Sequence, residues 1–208
     1  MNRLLPEDLR QAEIQLFDST IKTIEDNSFG RISIQIKFEG LKVEPIVLRF
    51  AKKIQLKGIS FVIAFSDFGS SALFKRDHPD LKDYIYTFKD INNSNISISD
   101  STLLLAVAPQ PYNYEEFYDM CSLVSSRILM FNGKLEDSAV GIGSVGRDRR
   151  SSFLQSWKPS YYLSPLENGA LLYDFFNQWQ LFSYTKNGYI FVKSFDQRPD
   201  DLLINTYI

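Results

Sequence analysis

Apolar and polar positions along the chain fall into blocks of two periods. Residues 7 to 26 place Ile14, Phe17, Ile21 and Ile24 at helical spacing, and Glu7 and Asp8 stand in the first turn, where the helix dipole favours carboxylates. "NSFG" stops that helix. "RISIQIKF" then alternates strictly, with Ile32, Ile34, Ile36 and Phe38 on one face and Arg31, Ser33, Gln35 and Lys37 on the other. A strand with one wet side is expected at a sheet edge. "VEPIVLRFAKKI" returns to helical spacing at Val43, Val47, Phe50 and Ile54, with its proline early enough to be tolerated. "ISFVIAF" is apolar throughout, as a strand covered on both faces should be.

The same rhythm continues. "GSSALFKRD" predicts a short helix, "YIYTF" a strand, "STLLLAVAP" a buried strand and "RILMF" another. Between the last two, Phe117, Met120, Cys121 and Val124 share a helical face, and Asn113 and Glu116 have the spacing of a capping-box variant. "INNSNISIS", Ile91 to Ser99, is of low complexity and reads as an exposed loop. Strands alternating with helices predict a three-layer, Rossmann-like α/β core with a largely parallel sheet over residues 1–157. From 158 to 208 the pattern changes to strands separated by "ENG", "NQ" and "KNG", a C-terminal antiparallel, aromatic-rich extension ending in a short helix. The whole chain of 208 residues is expected to form a single domain.

Composition narrows the function. With 44% hydrophobic and 23% charged residues the chain is globular in type, and a net charge of −2 supplies no field for nucleic acid. Cys121 is the single cysteine and His78 the single histidine, so no zinc site of the usual kind can form and no cofactor is called for. His78, in "RDHPD", reads as part of a charged surface turn. The first residues turn acidic before an apolar signal core builds up, and no stretch approaches the ~20 apolar residues of a membrane span. The chain is expected to stay where it is made.

Three stretches carry candidate chemistry. "GIGSVGRDRR" has the glycine spacing of a dinucleotide-binding turn at Gly141, Gly143 and Gly146, followed by Arg147, Arg149 and Arg150. A helix through Arg147 to Trp157 and the acid Glu167 fit the fingerprint; the intervening "NGKLEDSAV" does not, because the first glycine should follow its strand directly. The plainer reading is a glycine-rich connection into a helix with a solvated basic face. "FSDFGSSA" puts Asp67, Gly69 and Ser70 between a buried strand and a helix, where open α/β sheets hold ligands; Asp67 as a helix N-cap is the plainer reading. "NGKLED" could bring Asn132, Glu136 and Asp137 to the same edge. Ser70 and Ser71 lack a nucleophile-elbow pattern, and the aromatics of the last third, Tyr161 and Tyr162 among them, offer a surface for a protein partner.

Taken in order, "PEDLRQAE", "FSDFGSSALFKRD", "SDSTLLLAVAPQ", "FNGKLEDSAVGIG", "RDRRSSFLQSW", "YYLSPLENGALL", Trp179 and "GYIFVKSFDQRP" resemble an uncharacterised-domain family of cyanobacteria and chloroplasts. That family includes the plant low-photosystem-II-accumulation assembly factor and the extra domain of a chloroplast adenylate-kinase homologue. The resemblance covers nearly the whole chain. It implies a soluble, non-enzymatic assembly factor of photosystem II biogenesis in the cytoplasm or the stroma, with a photosystem II subunit or its insertion machinery as protein partner, and leaves a peripheral contact with thylakoid membranes open. It carries no catalytic residue over. Where relatives tend to have proline and arginine after the asparagine of an "NPRLED"-like motif, this chain has Gly133 and Lys134. The competing expectation is a nucleotide or phosphometabolite site built from Asp67 to Ser71, Glu136, Asp137 and the Gly141 to Gly146 turn.

Overall fold

A computed structural model describes residues 5–26, 28–93, 96, 98–135 and 144–208, with side chains left aside for 144–149. The fold is mixed α/β. Its helices are α1 (Leu9–Asp26), α2 (Glu44–Leu56), α3 (Phe68–Asp77), α4 (Phe88–Asn93), α5 (Tyr114–Leu123), α6 (Ser144–Gln155) and α7 (Asp201–Ile204). The strands are β1 (Arg31–Ile36), β2 (Phe61–Phe65), β3 (Ile85–Thr87), β4 (Leu103–Val107), β5 (Ile128–Phe131), β6 (Lys158–Leu166), β7 (Gly169–Asp174), β8 (Trp179–Thr185) and β9 (Gly188–Phe195).

The contacts group into two compact units. A central unit holds residues 29–33 and 42–158; the other holds 1–28, 34–41 and 159–208. The boundary at 158/159 falls where the sequence pattern changes, but α1 goes with the antiparallel strands rather than with the parallel core.

In the central unit the strand order is β3-β2-β4-β5, all three pairs parallel. Parity along the strands sorts the helices into layers. Ala64, Leu104, Ala106, Ile128 and Met130 face a cluster formed by α4, α5 and α6, in which Phe117 stacks on Trp157 at 5.7 Å and meets Phe88 at 5.3 Å. The alternate residues face the other way, where Phe131 meets Phe50 of α2 and Phe65 meets Phe74 of α3. Leftward connections therefore run over one face and rightward ones over the other, as right-handed crossovers require. Every residue of β4 and β5 is buried, which explains their uninterrupted apolar runs.

The strictly alternating strand β1 is not an edge strand: its start lies beside β5, where Ile128 N–H donates to the Gly30 carbonyl, and its end beside β6, where Lys37 N–H donates to the Leu163 carbonyl. Its polar face is half-buried rather than fully wet. Arg31 donates to the Ser156 hydroxyl (2.9 Å) and the Cys121 carbonyl (3.3 Å), and its guanidinium lies 4.9 Å from the Phe153 ring centre.

The segment read as an exposed loop begins instead with helical turns. Thr87 and Asp90 exchange backbone-to-side-chain hydrogen bonds (2.8 and 3.0 Å), a capping box that starts α4 and buries Ile91. The expected Asn113/Glu116 box is absent, because the Asn113 side chain turns back to accept from Gln110 N–H at 2.7 Å.

In the other unit β1 is followed by β6-β7-β8-β9, the last three pairings antiparallel. α1 lies against this sheet through Leu16, Phe17, Ile21 and Ile24, while Ile14, expected on the buried face, is exposed. Hydroxyls help fix α1 there: Ser19 donates to the Ser160 carbonyl and accepts from Phe175 N–H at 2.7 Å, and Thr20 meets the Ser160 hydroxyl at 3.0 Å. Asp174, fully buried, accepts from Phe176 N–H and the Asn177 amide. α7 supplies Ile204 to a cluster with Tyr162, Leu171, Tyr173, Trp179 and Leu181.

Candidate functional site

The chain turns left from β2 to β3 and right from β4 to β5, so β2 and β4 part at a topological switch point. Open α/β sheets bind ligands at the carboxyl edge of such a crevice. After β2 come Ser66 to Ser70, after β4 Ala108 to Gln110, and after β5 Asn132 and Gly133.

Asp67, exposed, caps α3. Its backbone is extended, its Oδ1 accepts from Ser70 N–H at 2.8 Å, and this bond holds its carboxyl below the ordinary aspartate range. Gly69 crowds the same carboxylate, since a Cβ there would lie 3.2 Å from Asp67 Oδ1. The helix N-terminus that would attract an anion is already facing a negative charge. Phe68 and Tyr112 stand beside this edge 79% and 82% exposed.

Ala108 and Asn132 both adopt left-handed backbone conformations, with φ of 45° and 48°. Asparagine tolerates this; for alanine it costs on the order of 1–2 kcal/mol. The surroundings hold the turn: Ala108 N–H donates to the Phe131 carbonyl (2.8 Å), Lys134 N–H to the Pro109 carbonyl (2.8 Å), and the Gln110 side-chain amide to the Ala108 carbonyl (2.8 Å). Asn132 thus shares the carboxyl edge with Asp67, with β4 between their strands. Glu136, Asp137, Gly141 and Gly143 lie outside the described residues.

Gly146 and Arg147 fall in α6, which starts at Ser144, inside the glycine motif, while β5 ends at Phe131. A helix inside the motif fits a dinucleotide turn, and the long connection from the strand does not. Arg150 is not on a solvated basic face. It pairs with Glu115 at 3.0 Å, lies 4.3 Å from the Tyr114 ring centre and keeps 16% of its side chain exposed. Among the described residues no three histidine, cysteine, aspartate or glutamate side chains gather as a metal centre would require. No described helix is long and apolar enough to cross a membrane.

Tyr161 and Tyr162 do not form the expected docking surface, because both are buried. Tyr162 packs on Trp179 at 5.1 Å, and Arg198 donates to its hydroxyl at 3.2 Å. Arg198 lines an open cavity of about 480 Å³ with Gln178, Ser194, Asp196 and Asp200.

The exposed aromatics sit one hairpin further on. Phe182 opposes Phe191 and Tyr184 opposes Tyr189 across β8 and β9, with ring centres 5.9 and 5.0 Å apart. Tyr184, Tyr189, Ile190 and Phe191 remain 63%, 47%, 53% and 45% exposed. β9 also ends the strand order, and among the described residues no strand pairs with its outer edge. From Trp179 to Phe195 the only charged residues are Lys186 and Lys193. The sequence points to the aromatics of the last third as a surface and to a hairpin at Asn187-Gly188, but "YIFVKSF" is as apolar as a buried strand, so the pattern does not single out these residues over Tyr161 and Tyr162.

One unit carries a parallel sheet with a strained carboxyl edge, the other a meander ending in an exposed aromatic strand, and together these elements define a mixed α/β protein. The chain belongs to the family of the domain of unknown function DUF1995, whose model matches residues 6–203. No curated protein and no solved structure matched it.

Proposed function

We propose that the chain is a non-enzymatic accessory or assembly factor of the photosynthetic apparatus, acting in photosystem II biogenesis by binding another protein. The observation that carries this reading is the group of Tyr184, Tyr189 and Phe191 on one face of the β8–β9 hairpin, large aromatic side chains held about half-exposed, with Ile190 exposed on the opposite face. Aromatic side chains of this kind are the ones enriched where proteins dock. The sequence resemblance supplies the photosynthetic setting, with a photosystem II subunit or its insertion machinery as partner.

The test is direct binding of the purified chain to the inner antenna subunit of photosystem II, for the wild type and for Tyr184→Ser/Tyr189→Ser/Phe191→Ser. Anchors of this type each contribute about 1–2 kcal/mol or more, so the triple variant should bind at least ~100-fold more weakly. Equal binding by the triple variant, or no binding by the wild type, overturns the reading.

A second reading, a nucleotide or phosphometabolite site at the carboxyl edge, is favoured by the left-handed Ala108 and Asn132. Thermal unfolding with and without nucleotides tests it, since a ligand at 100 times its dissociation constant adds about 2.7 kcal/mol. The Asp67 carboxylate at the start of α3 argues against a phosphate there.

A further inference from the structure

The same strip carries information about how a partner binds. Tyr184 N–H donates to the Asn168 carbonyl at 2.8 Å, so its amide faces away from β9. In an antiparallel pair, a residue opposite one whose amide points away belongs to a non-hydrogen-bonded pair. The N–H and C=O of Tyr189 therefore point out from the sheet, and those of Phe191, opposite Phe182, do the same. β9 thus offers a short row of outward backbone donors and acceptors at Tyr189 and Phe191, beside exposed apolar side chains, and a register shift opposite Leu181 and Phe182 ends it.

Area and charge select the occupant. Aromatic side chains bury ~150–250 Å² each, so Tyr184, Tyr189 and Phe191 at about half exposure present on the order of 300 Å². A stable interface takes about 800 Å² from each partner. The strip is small for a dimer of two copies and matches one added strand. Charge along the hairpin comes from Lys186 in the turn and from the exposed Lys193, which also donates to the Tyr207 hydroxyl, while the first acid beyond them, Asp196, already accepts from the Gln178 amide; the two lysines favour carboxylates on that strand.

Resting on the protein-binding reading above, we propose that β9 takes an extended acidic and apolar segment of its partner by strand addition, pairing with the outward amides of Tyr189 and Phe191. Main-chain hydrogen bonds give the affinity in this mode, and alternate side chains the selectivity.

The probe is a fluorescent capped peptide of alternating valine and phenylalanine flanked by glutamates, titrated with the full chain. Two controls accompany it: the same peptide flanked by lysines, and the glutamate-flanked peptide N-methylated at alternate amides. The glutamate-flanked peptide should bind saturably, and the lysine-flanked one at least ~5-fold more weakly at low salt, with the gap closing as salt screens it. N-methylation should weaken binding about 5-fold or more, as the loss of one or two hydrogen bonds predicts. Phe191→Pro removes an outward N–H without breaking a ladder bond, and should do the same.

Unchanged affinity for the N-methylated peptide overturns strand addition whether or not Phe191→Pro folds. So does preferential binding to anionic lipid vesicles, or self-association of the free chain at the concentrations used. If the triple variant loses the antenna subunit while N-methylation has no effect, protein docking stands and strand addition falls. If the triple variant keeps the antenna subunit, the docking surface itself falls.

Discussion

Replacing Asp67 by alanine separates a cap from a ligand-binding residue. The Oδ1 bond to Ser70 N–H is 2.8 Å long, and the side chain is exposed, so water can take over much of what is lost. That places Asp67→Ala near the middle of the N-cap range, about 1 kcal/mol of destabilisation, with Asp67→Asn close to neutral. For a protein of this size, 1 kcal/mol corresponds to a Tm lower by about 2–4 °C. The pH dependence follows from the direction of the shift. Hydrogen bonding from Ser70 N–H lowers the folded-state pKa of Asp67 below its unfolded value. The charged cap is therefore fully stabilising above the unfolded pKa, about 3.9, and its contribution is lost as pH falls through the folded value. Urea denaturation followed by circular dichroism should show a gap between wild type and Asp67→Ala that is constant from pH 7 to 5 and narrows below about 4. Identical stability at pH 7, or a gap that widens in acid, would refute the capping argument. A more stable alanine variant would point instead to a residue kept for binding at the expense of stability.

Two other residues give sharp expectations. Gly169 opens β7 against β8, and a Cβ there would overlap the Phe182 carbonyl oxygen, which is backbone and cannot rotate away; Gly169→Ala should cost about 3 kcal/mol by chemical denaturation, and a loss below ~0.5 kcal/mol would show that the hairpin shifts freely. Burial pushes the Cys121 thiol up to about 12. The native chain at pH 8 should resist iodoacetamide and label only as it unfolds, whereas labelling as fast as free cysteine would mean the α5 face is open. Because the unfolded thiol ionises near ~8.5, the buried thiol makes the fold less stable as pH rises beyond that value.

What could be read in the sequence, and what could not, divides along the range of the interactions involved. α2, α3 and the runs that became β2, β4 and β5 were legible because local period and full burial agree there. β1 misled because alternation reports polarity, not water: Arg31 lies against Phe153, and its donors reach Ser156 and the Cys121 carbonyl, partners far along the chain. α4 escaped notice because its start depends on a Thr87–Asp90 exchange within "TFKD", just ahead of the low-complexity stretch.

The candidate site shows the same division. Asp67 as a cap is a local matter and follows from "SDFGSS", but the left-handed Ala108 does not, because the bonds from Ala108 N–H to Phe131 and from Lys134 N–H to Pro109 join two separate loops. Tyr161 and Tyr162 were reasonable surface candidates by type. What removes them from the surface is α1 over one face of β6 and Trp179 and Arg198 over the other, and what leaves Tyr189 and Phe191 exposed is that β9 has no described neighbour beyond it. Whether an aromatic strand stays exposed depends on its position in the sheet order, and that order is set by pairings between segments far apart in the chain.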